Sequence, residues 1–270
     1  MLGDADHGGA KGPERLVREL AALTGATVTV ERIERSGPPQ EDPPAASLSV
    51  NRALAPVVHR TLAEGGVPLV LAGSCDASLG LLAGADHARW GVVWLDAHGD
   101  FNPPETTLTG FFAEMSLATI TGHCHRHLWS EIGDSTPVRE AATVLLGVRK
   151  LDPAERERLE ASDIGVVGWR RGQPQADVEA ALDELAGRVE EVYLHIDLDA
   201  LDPQVARGIV DPPVPGGMSL AQMERAIRAT AARFRVAAAA LTTYNPDLDN
   251  DGRTLRAGVR IIELVAEGRP

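Results

Sequence analysis

Two short polar segments contain residues of the kinds that bind divalent metal ions. The residues stand at alternate positions directly after β-rich apolar runs, with Asp96, His98 and Asp100 in the first segment and Asp197 and Asp199 in the second. Alternate residues of an extended chain project to the same side, so the two groups can face one point from neighbouring strands. Four carboxylates and a histidine at one point cannot all stay ionised without cations between them. The pattern therefore predicts a metal site in which two ions share bridging carboxylates.

The residue types also restrict the ion and its chemistry. A single aspartate at a strand end is usually a cap or a turn former, but two such segments after apolar strands favour a functional site. Oxygen-rich ligation with one imidazole suits Mn²⁺, Mg²⁺ or a similar divalent ion. Paired ions of this kind are suited to generating a nucleophilic hydroxide at neutral pH.

The composition limits what else the chain does. Its 270 residues can bury a sizeable core, and we expect one domain over residues 1–270. A formal net charge of −13 argues against a nucleic-acid partner, and no apolar run approaches membrane-spanning length. Because the chain has only two cysteines, Cys75 and Cys124, and no secretory signal, we expect it to reside in a reducing cytoplasm.

Apolar, β-branched runs alternate with amphipathic segments along the chain. The strand candidates are Thr27–Ile33, Pro68–Ala72, Gly91–Leu95, Thr143–Val148, Gly165–Gly168, Val192–Ile196 and Ala237–Thr242. The helix candidates are Pro13–Thr24, Ser47–Glu64, Asp76–Ala83, Pro153–Ala161, Gln175–Val189, Ser219–Phe234 and Arg253–Ala266. This alternation predicts an α/β fold with a mostly parallel sheet covered on both faces, and functional groups at the carboxyl ends of its strands. Because no apolar strand precedes the loop before Pro13, we expect the first strand to be missing from the chain.

Three motifs resemble the signatures of a known family. Trp94–Asn102 resembles the W-x-D-A-H-x-D-x-N signature of the arginase/agmatinase (ureohydrolase) family. His195–Pro203 resembles its x-x-D-x-D-x-x-D-P signature, and Pro215–Ser219 resembles its P-G-G-[LM]-[ST] helix entry. The resemblance implies a three-layer α/β/α fold and a dimanganese centre, with two Mn²⁺ ions per chain, that hydrolyses guanidino carbons.

The resemblance also implies a role for each ligand. Asp96 and Asp197 would bridge the two ions, while Asp100 would complete the first ion and His98 and Asp199 the second. A hydroxide held between the ions would attack the guanidino carbon, and Asp100 would carry its proton toward the leaving amine. From its position one step deeper in the strand, His195 is expected to hydrogen-bond a ligand rather than to bind an ion itself.

Three positions depart from the family pattern. Cys75, in A-G-S-C-D, stands where the pattern G-G-D-H-S has its ligand histidine. A thiolate is softer than imidazole, so we expect Cys75 to bind the first ion with more tolerance of Zn²⁺, and Asp76 is the competing ligand. Ala113 replaces the histidine that shuttles protons in arginases, and Thr243 replaces the glutamate of E-x-N-P that contacts the guanidinium.

These departures favour a substrate that is not strongly basic. An N-hydroxyguanidine is much less basic than a guanidine, so it can arrive neutral and needs no buried counter-charge. The combination resembles the Nω-hydroxy-L-arginine amidinohydrolases of D-cycloserine biosynthesis, an antibiotic pathway, which form hydroxyurea and L-ornithine. The alternatives are an arginase, agmatinase or other guanidino-acid hydrolase, and a catalytically inactive metal-binding member of the family.

The small-molecule guanidino substrate also has candidate partners in the sequence. The candidate substrate-binding residues are Asn102, Thr107, Thr109, Asp152, Glu155 and Thr243. The first three offer donors for an α-carboxylate. Asp152 would meet an α-ammonium, with Glu155 acting through water, although Asp152 is equally a candidate helix N-cap before Pro153. Because the chain stops soon after its last helix, we expect a monomer.

Overall fold

The structure, a computed structural model, describes residues 8–23, 29–34, 43–209 and 213–267. Its main feature is a six-stranded, fully parallel sheet with the strand order β1-β8-β7-β2-β3-β4. The sheet strands are β1 (Leu69–Leu71), β2 (Gly91–Leu95), β3 (Thr143–Leu146), β4 (Gly165–Val167), β7 (Glu191–Asp197) and β8 (Arg235–Thr242). β5 (Trp169–Arg170) and β6 (Gln173–Pro174) form a separate antiparallel ribbon. The prediction of a mostly parallel sheet is confirmed.

Helices cover both faces of this sheet. Within the described residues they are α1 (Gly12–Leu23), α2 (Pro43–Ala63), α3 (Ala77–Ala83), α4 (Ser116–Ile120), α5 (Arg126–Ser130), α6 (Pro153–Glu160), α7 (Val178–Ala186), α8 (Leu220–Arg233) and α9 (Arg253–Glu267). One apolar core joins the sheet to α1, α7, α8 and α9, and the other joins it to α2, α3, α4 and α5. The expected three-layer α/β/α architecture is therefore confirmed.

The central strand β2 shows why the sheet forms where it does. All five of its residues are buried, and its side chains alternate between the two cores, with Val93 and Leu95 in one and Val92 and Trp94 in the other. A strand buried on both faces has to be apolar at every position, which is why it appears in the sequence as a continuous apolar run. β7 lies directly beside it, with Trp94 opposite His195.

The predicted strand Thr27–Ile33 is wrong over the residues that the structure describes. Residues 29–34 belong to no strand, and Val30 is 58% exposed. Glu31 pairs with Arg60, and Arg32 pairs with Glu14, so charged side chains hold this apolar-looking segment at the surface. Residues 27 and 28, and the residues ahead of Gly8 that concern the expected missing first strand, lie outside the described residues.

The short elements escaped prediction. The two-residue strands β5 and β6 and the five-residue helices α4 and α5 are too brief to produce a periodic pattern. Among the described residues, no helix is long and apolar enough to cross a membrane.

Candidate metal centre and active site

The two predicted metal segments meet at the carboxyl ends of the adjacent strands β2 and β7. Asp96 directly follows β2, and Asp197 is the last residue of β7. Leu95 is in register with Ile196, so the two aspartates lie side by side at the same edge of the sheet. This confirms that the segments converge from neighbouring strands, and it places them where parallel sheets collect functional groups.

The chain does not stay extended through the first segment, as the alternation argument assumed. It bends after Asp96, and Asp100 has a left-handed backbone with φ 49°. Gly99 allows Glu155 to pack against this bend, because a Cβ there would lie 2.5 Å from Oε1 of the buried Glu155. In the second segment, Asp199 lies within a 3-10 helix, Leu198–Ala200. Turns therefore bring His98, Asp100 and Asp199 to the site, while strand ends supply Asp96 and Asp197.

One half of the site, here called the His98 side, consists of His98 and Asp199. His98 Nδ1 lies 2.9 Å from Asp199 Oδ2 and 3.4 Å from Asp96 Oδ1. Asp199 Oδ1 also accepts a hydrogen bond from the Ala97 backbone N–H at 3.0 Å. Burial alone would lower the pKa of His98, but Asp199 and Asp96 raise it to about 12. Burial would raise the pKa of Asp199, yet His98 holds it well below its usual range.

The other half, here called the Cys75 side, consists of Cys75, Asp197 and His195. Cys75 lies in the turn between β1 and α3, and its thiol donates to Asp197 Oδ2 at 2.9 Å. Burial raises the pKa of the Cys75 thiol, and the charges of Asp197 and Asp100 raise it further. The pKa of Asp197 is itself raised by burial and by the neighbouring Asp199.

The residues at this edge fit divalent cations. Ligand atoms of Asp96, His98 and Asp199 lie within 4.8 Å of one another, and those of Cys75, Asp96 and His195 do so as well. Burial raises the pKa of Asp96 to about 6, and burial together with the charge of Asp96 raises the pKa of Asp100 well above its usual range. Asp100 Oδ2 is buried with no hydrogen-bond partner. Cations between these carboxylates would offset the burial and the mutual repulsion that raise their pKa values.

Three supporting residues were not recognised from the sequence. The Trp94 indole N–H donates to Asp96 Oδ2 at 3.1 Å, and the Thr242 hydroxyl donates to Asp197 Oδ2 at 3.2 Å. Arg149 donates to the backbone carbonyl oxygens of Asp199, Leu201 and Val214, at 2.7, 3.1 and 2.8 Å. Such contacts fix the orientation of metal ligands. The position of Trp94, two residues before Asp96 in a strand, is the one sequence signal that pointed to this role.

Some of the predicted substrate-binding residues lie together near the metal segment. Asn102 is buried, and its side-chain amide donates to Asp152 Oδ2 at 3.1 Å. Asp152 precedes α6, whose first residue is Pro153, so it also occupies the expected N-cap position. Glu155 is buried with its two oxygens on the backbone N–H groups of Phe101 and Asp152, at 2.9 and 3.3 Å. Burial raises the pKa of Glu155 to about 7.

The remaining predicted residues on this side lie on a more exposed loop. Thr107 and Thr109 have their hydroxyl oxygens 3.3 Å apart, and the Thr109 hydroxyl donates to Glu114 Oε2 at 2.6 Å. Leu108 between them is 75% exposed. The structure therefore places both threonines beside each other on a loop that is more exposed than Asn102 and Glu155.

Comparison with known proteins identifies the family behind this geometry. Residues 3–266 match the family model described as "Arginase family". The chain belongs to the arginase family. An arginase of Bacillus caldovelox is 32% identical over 256 residues, which span 92% of this chain and 85% of that protein. The family comprises ureohydrolases with binuclear manganese centres, so the chain is a hydrolase that acts on guanidino or related amidine groups.

Two further relatives extend the comparison. The Nω-hydroxy-L-arginine amidinohydrolase of Streptomyces lavendulae is 32% identical over 195 residues, covering 72% of this chain and 66% of that protein. A crystal structure of arginase from Bacillus subtilis superposes with a TM-score of 0.84 at 31% identity, covering 94% of this chain and 91% of that chain. The arginase-like fold expected from the motifs is therefore confirmed.

The three departures from the arginase pattern occupy well-defined positions. Thr243 follows β8 with φ 66°, and its hydroxyl donates to Asp197 Oδ1. Ala113 lies buried in a short 3-10 helix, Phe112–Met115. Asp76, the competing ligand, is buried, which raises its pKa, while its neighbours Ser47 and Ser74 lower it. Of the two candidates, Cys75 is the one that contacts Asp197.

Proposed function

We propose that this chain is a dimanganese amidinohydrolase that converts Nω-hydroxy-L-arginine to hydroxyurea and L-ornithine. The observation that carries the proposal is the environment of Thr243. Where the arginase pattern has a glutamate for the guanidinium, this chain has a hydroxyl that donates to Asp197. The carboxylate that would balance a charged guanidinium is therefore absent from this position. A hydroxyguanidine, which can bind neutral, does not need it.

The ligands of this proposal are those converging at the ends of β2 and β7. Asp96 and Asp197 would be shared between the ions, with Asp100 and Cys75 on one side and His98 and Asp199 on the other. Divalent ions in these positions would make water a nucleophile at neutral pH by lowering its pKa. Trp94 and Thr242 would keep the shared carboxylates in a fixed orientation through their hydrogen bonds.

Asp100 is the proposed proton carrier. In the overall reaction, water adds oxygen to the guanidino carbon while the bond from that carbon to the ornithine nitrogen breaks. One proton of the water has to reach the leaving nitrogen, which departs as the amine. Asp100 Oδ2 is buried and has no hydrogen-bond partner, and burial raises the pKa of this carboxyl, so it is able to hold a proton. Asp100 would thereby carry the proton to the leaving nitrogen, which Ala113 cannot do because its side chain has no titratable group.

The amino-acid end of the substrate would bind at Asn102 and Asp152. Their mutual hydrogen bond joins a potential partner for a carboxylate to a potential partner for an ammonium. Thr107 and Thr109 would add hydroxyl contacts from the exposed loop. Since both oxygens of Glu155 are engaged by backbone N–H groups, Glu155 would act by positioning Phe101 and Asp152. An amino-acid substrate is thus favoured over agmatine, which lacks the carboxylate.

Relatives support the reaction class and leave one main competitor. One relative is named as an Nω-hydroxy-L-arginine amidinohydrolase, and others at similar identity are named as arginases. An arginase is therefore the second candidate. The carboxylate cluster supports both candidates equally, whereas Cys75, Ala113 and Thr243 favour the hydroxylated substrate.

The test is a side-by-side assay of the Mn²⁺-loaded protein on three substrates. Nω-hydroxy-L-arginine, L-arginine and agmatine are supplied at equal concentration, and hydroxyurea, ornithine and putrescine are measured. We expect the hydroxylated substrate to react with a much higher kcat/KM than arginine. Equal or faster turnover of arginine would make the chain an ordinary arginase. Two bound ions without turnover of any substrate would support the inactive alternative.

The variant Thr243→Glu tests whether the residue at position 243 sets the preference between the two substrates. Restoring a carboxylate should raise kcat/KM for arginine relative to hydroxyarginine, because the charged guanidinium regains its partner. Thr242→Ser, which keeps the neighbouring hydroxyl on Asp197, is the matched control and should leave the substrate ratio unchanged. A Thr243→Glu protein with an unchanged ratio would contradict the assigned role of this position.

Two lesser proposals concern the oligomeric state and the cellular compartment of the protein. We propose a monomer, since large hydrophobic side chains exposed among the described residues are limited to Val30, Leu108 and Val166. Both cysteines are free and buried, in keeping with the reducing cytoplasm that we propose. Sedimentation equilibrium would test the first proposal, and a mass of three chains would reject it.

A further inference from the structure

His195 is a fully buried histidine with one nitrogen engaged and one free. It lies on β7 and stacks on Trp94, with the ring centroids 3.6 Å apart and the planes 11° from parallel. Its Nδ1 is 2.6 Å from the Tyr193 hydroxyl oxygen. Its Nε2 is buried without a hydrogen-bond partner. A buried polar atom in this state costs free energy unless something outside the described groups satisfies it.

Among the described residues, the other buried histidine is His87, which shows what a structural role looks like. His87 is buried and stacks on Trp129, as His195 stacks on Trp94. Both of its ring nitrogens face backbone carbonyl oxygens, Ala85 at 3.2 Å and Thr136 at 2.8 Å. The unsatisfied Nε2 of His195 is therefore not a general consequence of burying a histidine in this fold.

Two further potential metal ligands lie near His195. One of its ring nitrogens, the Cys75 sulfur and an Asp96 oxygen all lie within 4.8 Å of one another. Two ligands of one ion, each about 2.0–2.3 Å from it, lie at most about 4.5 Å apart. The 4.8 Å bound on the separations of these three atoms is close to that span, and Nε2 is the ring nitrogen of His195 that has no hydrogen-bond partner.

We propose that His195 is itself a ligand, so that Cys75, His195 and Asp96 hold one ion through sulfur, nitrogen and oxygen. This replaces the expectation that His195 only supports a ligand. It rests on the ion binding of the proposed function but not on the identity of the substrate. Such a mixed donor set makes this position more tolerant of a borderline ion such as Zn²⁺ or Co²⁺ than an oxygen-rich set would be. The ion on the His98 side would keep its oxygen-rich set.

The Tyr193 contact fits this assignment. A ligating histidine almost always donates its second ring N–H to a fixed partner, which sets the tautomer and the ring orientation. Here Nδ1–H would donate to the Tyr193 hydroxyl oxygen, which leaves the lone pair of Nε2 for the ion. The Trp94 stack holds the ring plane, so little freedom is lost when the ion binds. Tyr193 is thereby a positioning residue for this ligand.

The experiment counts ligating histidines in the intact protein, without substrate. The apoprotein is loaded with NMR-active cadmium, and couplings from the metal to the rings of nitrogen-labelled histidines are recorded. We expect two coupled histidines, one on a cadmium that also shows the chemical shift of thiolate ligation. Coupling to His98 alone would overturn the proposal. Because the wild-type protein is used, folding of a variant does not limit the result.

Variants then assign the second histidine. His195→Gln should lose one coupled ring and weaken Zn²⁺ binding by more than about a hundredfold, the upper range for supporting residues. His87→Gln is the matched control and should keep both couplings. Tyr193→Phe should keep both couplings but weaken Zn²⁺ binding about tenfold. A His195→Gln protein that keeps both couplings would reject the proposal, whatever the substrate assays show.

Discussion

The His98 side and the Cys75 side share Asp96 but hold their remaining ligands in different ways. On the His98 side, Asp199 receives a backbone N–H as well as the imidazole, and its pKa is held low. On the Cys75 side, a thiol and two hydroxyls crowd Asp197, and burial raises its pKa. One sheet edge thus offers a hard, ionised ligand set next to a softer, more protonated one.

The difference shows which residues of a family site can change while its aspartates stay in place. The aspartates are held at strand ends and in the turns that follow them. Cys75 reaches the site from the loop after β1, two strands away from β7, and Thr243 from the loop after β8. Residues on loops are exchanged more easily than those on the central strands, and here both exchanges fall on the Cys75 side.

The largest effect should come from Asp96, which belongs to both groups of converging ligand atoms. Asp96→Asn removes a charged ligand from both candidate ion groups. Activity should fall by more than about a thousandfold, beyond the tenfold to hundredfold that loss of a supporting contact costs. Metal analysis together with kcat/KM measures this. If one ion stayed bound with near-normal affinity, Asp96 would belong to one side only.

Ion binding should weaken as the pH falls, by on the order of tenfold per pH unit for each proton displaced. In the metal-free protein the pKa of Asp96 is raised to about 6 and that of His98 to about 12, so ions compete with protons at both. His98 contributes over the whole neutral range, while Asp96 adds to the dependence as the pH falls through about 6. Calorimetry in buffers of different ionisation enthalpy counts the protons released. A pH-independent affinity would contradict the structure.

Cys75→Ser should separate the two sides by ion preference. Replacing sulfur with oxygen should lower the preference for Zn²⁺ over Mn²⁺ by roughly tenfold on the Cys75 side and leave the His98 side unaffected. Competition titrations with both ions provide the measurement. Cys124→Ser is the control. It changes the other buried free cysteine, whose sulfur contacts the Thr119 hydroxyl and the Met115 carbonyl oxygen, and it should leave the ion preference unchanged. Equal effects of the two variants would mean that Cys75 is not a ligand.

The smallest effect should come from Trp94→Phe. The ring can still pack on His195, but Asp96 Oδ2 loses the indole N–H. Affinity for the ions that Asp96 binds should fall about tenfold, the lower end of the range for losing a contact that supports a metal ligand. Mn²⁺ titration of the refolded variant, with circular dichroism as the check on folding, measures the change. Unaltered affinity would show that the hydrogen bond does not orient Asp96.

Prediction of the fold from sequence succeeded where burial leaves few choices. The bounds of β2 were predicted as Gly91–Leu95 and are observed there, because a strand covered on both faces has to be apolar throughout. β8 begins at Arg235 rather than at Ala237, since its exposed first residue has no apolar requirement. The segment Thr27–Ile33 failed for the opposite reason. Its alternating pattern resembles a strand, but ion pairs hold its described part at the surface.

Prediction of the site also succeeded for some residues and failed for others. Residue types and spacing were enough to group Asp96 with Asp197, because both follow apolar strands of one parallel sheet. The spacing gave the wrong local conformation for Asp100, which a left-handed bend brings into place. It also gave no role to Trp94, Thr242 or Arg149, whose contacts join residues from different elements.

By itself, the sequence determined the kinds of ligand, their family pattern and the positions where that pattern is broken. The tertiary structure decided which strands are neighbours, since β8 rather than β2 separates β1 from β7. It also decided that Cys75 meets Asp197, 122 positions away along the chain, and that His195 lies near Cys75 and Asp96 with Nε2 unpaired. Spacing along a chain fixes only which side chains share a local face, whereas contacts between distant residues depend on strand order and on the turns between strands.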